Sequence, residues 1–116
     1  AYVMADPAKM DQVMKNIISN AVKYSPEGGV IRIGGKARAN EFIVRIEDQG
    51  MGMSPEQVQK IFDKFYRGDA AFSSIEGTGL GMSIVKNIVD SHGGRVWVES
   101  ERGKGTIVSV SLPLVD

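Results

Sequence analysis

The sequence predicts an α+β domain, an antiparallel or mixed sheet with its helices laid on one face. Three observations carry this. Two pairs of short runs alternate apolar and polar residues with period two, each pair joined by a turn. Two segments instead repeat their apolar residues at three- and four-residue steps, and a third opens with a helix capping box. The order of these segments is helix, two strands, helix, irregular stretch, helix, two strands, which favours hairpin pairing over a parallel βαβ sheet.

Each element has a local reason. Tyr2-Val3-Met4 is a short apolar run, and Asp6-Pro7 is a helix start, a cap residue followed by proline. Met10, Val13, Met14, Ile17, Ile18 and Ala21 then mark one face of a helix of about four turns, ended by Pro26-Glu27-Gly28-Gly29. Val30 to Ala37 and Phe42 to Asp48 alternate as a strand hairpin turning through Arg38-Ala39-Asn40-Glu41, with Gly34 and Gly35 interrupting the first strand as at a bulge. Ser54-Pro55-Glu56-Gln57 is a capping box opening a short helix to about Phe62. Arg67 to Gly79 shows no period, and so long an irregular stretch in a compact domain is usually functional or disordered. Leu80, Ile84, Val85, Ile88 and Val89 restore helical spacing, stopped by His92-Gly93-Gly94, where His92 reads as a capping or packing residue. Arg95 to Ser100 and Thr106 to Leu112 form the second hairpin around Arg102-Gly103-Lys104-Gly105.

Composition narrows the function. The 116 residues contain no Cys and one His, which excludes a disulfide framework, a thiolate nucleophile and a Cys- or multi-His metal cage. Fourteen Lys plus Arg balance fourteen Asp plus Glu, so no general polyanion-binding surface is expected, nucleic acid included. No run approaches the ~18 apolar residues of a membrane span. A first residue that is Ala and not Met suggests one domain, residues 1–116, cut from a longer protein. Glycine is in excess, 14 of 116 residues, about 12% against a usual ~7%.

Asn16, Asn20 and Lys23 fall at steps of four and three, one stripe of the first helix beside its apolar face. They read equally as solvated surface or as a site where amide oxygens ligate a hard cation such as Mg²⁺ and the lysine meets a phosphate. Asp48 shares strand parity with Phe42, Val44 and Ile46, so its carboxylate points to the apolar face, an expensive placement unless it is paired. The alternative is a strand already turning at Asp48. Gly50 and Gly52 follow at once, able to adopt positive φ or to let the backbone approach a ligand. Thr106 has inward parity with Val108, Val110 and Leu112, while Ser109 and Ser111 are expected outside; alone, it reads as an ordinary core threonine. Gly77-Thr78-Gly79-Leu80-Gly81 enters a helix, a place where free N–H groups and the dipole suit an anion, or where a loop hinges. It matches neither the P-loop nor the dinucleotide fingerprint. Lys64 and Arg67, at the entrance to the irregular stretch, are a helix-end pair or phosphate contacts.

Taken together, these motifs resemble the ATP-binding catalytic domain of bacterial sensor histidine kinases, of the Bergerat ATPase type. Asn16-Ile17-Ile18-Ser19-Asn20-Ala21-Val22-Lys23-Tyr24-Ser25 looks like the N box and Asp48-Gln49-Gly50-Met51-Gly52 like the first glycine box. Phe62-Asp63-Lys64-Phe65-Tyr66-Arg67 looks like the F box, Gly77-Thr78-Gly79-Leu80-Gly81-Met82 like the second glycine box, and Gly105-Thr106 opens the final strand as in the family. One box is a weak signal; four in this order, over nearly the whole chain, are specific.

The resemblance implies a two-layer α/β sandwich with about three helices on one face and a mobile ATP lid, and ATP with Mg²⁺ as cofactors. It implies that Asp48, with Thr106 beside it, accepts from the adenine amine and that Tyr24 borders the nucleoside. Asn20 would ligate Mg²⁺, supported by Asn16, and Lys23, Lys64 and Arg67 would contact phosphates. Gly77, Thr78, Gly79, Leu80 and Gly81 would hinge the lid and present amides, with Gly50 and Gly52 bordering the base. The implied reaction moves the γ-phosphoryl group to a histidine on a separate dimerisation domain, absent here, whose parent passes it to a response regulator. Asn16, Asn20 and Lys23 would serve that step. A cytoplasmic setting follows, with the parent often membrane-anchored. The family's leading strand is expected upstream of Ala1. A serine kinase or other ATPase of the same fold, or a nucleotide-binding module without turnover, are the alternatives.

Overall fold

The computed structural model describes residues 2–25, 27–63 and 81–115. The elements run β1 (Tyr2–Val3), α1 (Pro7–Lys23), β2 (Arg32–Arg38), β3 (Glu41–Asp48), α2 (Pro55–Lys60), α3 (Gly81–Ser91), β4 (Arg95–Glu101) and β5 (Gly105–Val115). Every strand pairing is antiparallel. β5 is the sheet's axis, bonded to β3 along one side and to β4 along the other, while β2 pairs beyond β3. Tyr2 and Val3 pair with Val115 and Leu114 at the far end of β5. A short first strand thus lies within the chain, whereas the leading strand expected upstream of Ala1 would lie outside this sequence.

The helices begin where their caps predict. The Asp6 carboxylate accepts from the amides of Ala8 and Lys9 at 2.9 and 3.3 Å, ahead of Pro7. Ser54 and Gln57 close the capping box of α2 in both directions, at 3.2 and 2.9 Å. At the end of α3 the ring Nδ1 of His92 donates to the Ile88 carbonyl at 2.8 Å and Nε2 accepts the Asp6 amide at 3.2 Å. These two bonds require the Nδ1–H tautomer, and they tie the end of α3 to the start of α1, a capping role as expected.

The core lies between α1, α3 and one face of the sheet. Val13 and Ile17 from α1 and Val85 and Val89 from α3 meet Ile46 of β3 and Val108 and Val110 of β5, all at most 5% exposed. On β3 the alternation holds to its end, with Ile46 and Asp48 both buried. The β2–β3 register is unbroken from Arg32 opposite Glu47 to Arg38 opposite Glu41, so no bulge forms at Gly34-Gly35. Gly35 instead lies under the Phe42 ring, where a Cβ would collide with it.

Ser109 and Ser111 do lie on the face away from the helices, yet they are 2% and 3% exposed. β5 is flanked on both sides, and its neighbours cover it: Arg45 and Trp97 stand opposite Ser109, Ile43 and Arg95 opposite Ser111. The Ser111 hydroxyl donates to Glu41, and this bond, with Arg95 beside it, holds the Glu41 carboxyl below the usual carboxylate range.

Candidate functional site

Where α1 ends above the ends of β3 and β5, the two layers part and leave a recess. Ile17, Ala21, Ile46, Met53 and Val108 form its apolar walls, and Asn20, Tyr24, Asp48 and Thr106 bring polar groups to it. Helical spacing puts Ile17, Asn20, Ala21 and Tyr24 on one side of α1. The antiparallel register puts Asp48 directly opposite Thr106, and their shared parity turns both inward. The strand does not fray: Asp48 is 7% exposed, as is Thr106.

Asp48 is held as an acceptor in a dry place. Its Oδ1 takes the Gly50 amide at 2.8 Å. Burial raises its carboxyl above the ordinary value, against the opposing pull of the Gly50 and Thr106 amides, and neighbouring Glu47 adds to the rise. A carboxylate kept inside an apolar recess at such cost calls for a ligand that donates to it. Beside it the Ser25 hydroxyl is buried with no hydrogen-bond partner among the described residues, a second polar atom at this end of the recess in want of a partner.

The two glycines of this segment serve the protein's own packing. A Cβ on Gly50 would run into the Tyr24 carbonyl, the Ser25 hydroxyl and Asp48 Oδ1. Gly52 sits at φ 70°, and a Cβ there would overlap the Glu101 carbonyl. Residues 50–53 are thus pressed between the end of α1 and the β4–β5 turn. The Met51 amide donates to the Tyr24 carbonyl at 3.0 Å, and the Met51 carbonyl accepts from Gly103 at 2.6 Å.

The remaining expected residues divide. Asn16 donates from Nδ2 to the Gly81 carbonyl at 3.4 Å, joining α1 to the first residue of α3. Lys23 sits in the last turn of α1, outside the lining of the recess. Lys64, Arg67, Gly77, Thr78, Gly79 and Leu80, and with them the lid, lie outside the described residues. Among the described residues no group of three His, Cys, Asp or Glu could hold a metal. A divalent cation here would take the Asn20 amide oxygen and complete its shell with oxygens from its ligand, a fit for a hard ion carried in on phosphates.

Two residues behind the lining of the recess escaped the sequence reading, Ser25 and Ser100. Ser100 shares parity with the half-buried Val96 and Val98 on β4, so an inward serine was legible there. Its hydroxyl meets the Met53 amide, the Gly105 carbonyl and the Thr106 hydroxyl at 2.8, 2.9 and 2.8 Å.

A buried carboxylate in a recess between a helix layer and an antiparallel sheet, with an asparagine on the overlying helix, is a site unlike that of the P-loop or dinucleotide folds. Residues 5–116 match the family described as "Histidine kinase-, DNA gyrase B-, and HSP90-like ATPase", and the chain belongs to it. Among its curated relatives, Sensor histidine kinase WalK of Bacillus subtilis is 44% identical over 115 residues, 97% of this chain and 19% of that protein. Sensor protein SrrB of Staphylococcus aureus is 45% identical over 109 residues, 93% of this chain and 19% of its own length. Among solved structures, the mycobacterial sensor histidine kinase MprB superposes with a TM-score of 0.86 at 32% identity, over 96% of this chain and 76% of that one. ShkA, solved full-length in complex with AMPPNP, gives 0.80 at 28% identity over 96% and 22%. The catalytic domain of ThkA gives 0.80 at 31% over 96% and 70%. The chain is thus a histidine-kinase-type ATPase domain, about a fifth of the length of the curated relatives it matches. Among its described residues no helix is long and apolar enough to cross a membrane.

Proposed function

We propose that this domain binds ATP with Mg²⁺ and donates the γ-phosphoryl group to a histidine on a separate helical dimerisation domain, in a sensor kinase that passes it to a response regulator. The observation that carries this is the Asp48–Thr106 pair, an inward carboxylate and hydroxyl at the end of an apolar recess. A flat base with an exocyclic amine satisfies the carboxylate and packs on the apolar side chains beside it, and Tyr24 borders the nucleoside. Support comes also from ShkA, whose AMPPNP is an ATP analogue.

Asn20 holds the metal, which neutralises phosphate charge, and Asn16 fixes the helix from the other side through Gly81. Lys23, Lys64 and Arg67 are assigned to phosphates, and residues 77–81 to the hinge and amides of a lid. Phosphoryl transfer asks mainly for positioning and charge stabilisation, so a domain whose acceptor is another domain's histidine needs no nucleophile of its own. The setting is the cytoplasm, where ATP is available.

The test mixes this chain with γ-labelled ATP, Mg²⁺ and a separately made helical domain of a sensor kinase carrying its histidine. Acid-labile, alkali-stable label on that domain is the expected result. Acid-stable label on serine, or ATP binding with no transfer to any acceptor, would overturn the histidine assignment.

A further inference from the structure

Ser100 stands on β4 directly across from Thr106, a residue that lines the recess. Its Oγ has three polar neighbours within 2.9 Å. One of them, the Met53 amide, can only donate, and another, the Gly105 carbonyl, can only accept. A hydroxyl has one proton and two lone pairs. The arrangement that satisfies all three contacts sends the Ser100 proton to Gly105 and leaves both lone pairs to accept, one from Met53 N–H and one from the Thr106 O–H. Thr106 therefore spends its single proton on Ser100 and has only lone pairs left for any other partner.

We propose that Ser100 is a specificity-determining residue: by fixing the direction of the Thr106 hydroxyl it makes the end of the recess an acceptor-only surface. Such a surface takes a purine with a 6-amino group and repels one that brings a 6-oxo group to the same place. Asp48 supplies one acceptor wall and Thr106 the other, and Ser100, which does not line the recess, sets the second. Without Ser100 the Thr106 hydroxyl turns freely and can donate to a carbonyl, so discrimination falls while the carboxylate stays. This inference rests on the reading that the recess holds the base of ATP.

The experiment compares binding of ATP and of inosine triphosphate, its 6-oxo counterpart, by calorimetry with Mg²⁺. The wild-type chain should prefer ATP. Ser100→Ala should reduce the ratio of the two affinities about three- to tenfold, the worth of one hydrogen bond, and Ser100→Thr, which keeps the hydroxyl, should restore it. Loss of the Met53 anchor alone would weaken both nucleotides equally and leave the ratio where it was. Should Ser100→Ala fail to fold, Ser100→Cys, close in size with a weaker acceptor, is read in its place. In a Thr106→Val background, replacing Ser100 should no longer move the ratio. A wild-type preference that Ser100→Ala leaves unchanged overturns the inference alone. A wild-type chain that binds the two nucleotides equally overturns the placement of the base, and the inference with it.

Discussion

Asp48→Asn is the sharpest perturbation of the proposed site because it changes one atom. The Gly50 amide already holds Oδ1 at 2.8 Å, and an asparagine oxygen can keep that bond. The carboxamide then presents –NH₂ where the carboxylate had its second oxygen. An incoming exocyclic amine meets a donor instead of a charged acceptor, in a place only 7% exposed, where water cannot make good the loss. A hydrogen bond to a charged group is worth about 1.5–3 kcal/mol, so ATP should bind roughly 10- to 150-fold more weakly. Calorimetric titration with ATP and Mg²⁺ reads the affinity, and a denaturant titration with unchanged slope shows that the fold is intact. An affinity within about twofold of wild type would refute the argument from Asp48.

Burial raises the Asp48 carboxyl, so the folded chain holds that proton to higher pH than the unfolded chain does. Asp48 thus adds stability below the ordinary carboxylate range that is lost as pH rises through its raised value. The stability of wild type minus that of Asp48→Asn should fall with rising pH across that window, and a difference that rises would contradict burial as the dominant cause. Ile17, 1% exposed between the helices and the sheet, should cost about 2–5 kcal/mol as Ile17→Ala, measured as a shift in denaturant midpoint. Val22, 58% exposed on the same helix, should cost under about 0.5 kcal/mol beyond its propensity change when replaced by Ala. Asn20→Ala should flatten the dependence of ATP affinity on Mg²⁺ concentration, and an unaltered dependence would remove Asn20 from the metal.

The sequence was most legible where one physical rule acted alone. Strand parity placed Asp48 and Thr106 on a common inner face, and the register sets them directly opposite one another. Asp6-Pro7 and Ser54–Gln57 announced their helices because a cap is a local hydrogen-bond pattern. Ser109 and Ser111 face outward as parity predicts, but parity gives a side chain's face and not its cover, which comes from the flanking strands β3 and β4. Gly50 and Gly52 were legible as special, Gly52 for the positive φ it adopts, but the backbone both accommodate, that of Tyr24 and Glu101, is known only from the fold. Ser25 and Ser100 were missed because a small hydroxyl carries little signal until its neighbours are known. The four-box resemblance supplied what periodicity could not, the identity of the ligand.

In the proposed function the base of ATP meets the domain at Asp48 and Thr106. Titration of the isotope-labelled chain with ATP and Mg²⁺, followed by amide chemical shifts, tests it most directly. The amides of Gly50, Met53 and Thr106 should move together, with contacts from the adenine ring protons to Ile46 and Val108, while the Trp97 indole on the opposite face stays in place. Shifts centred on Trp97 and Arg45, with Gly50 and Thr106 unmoved, would contradict it.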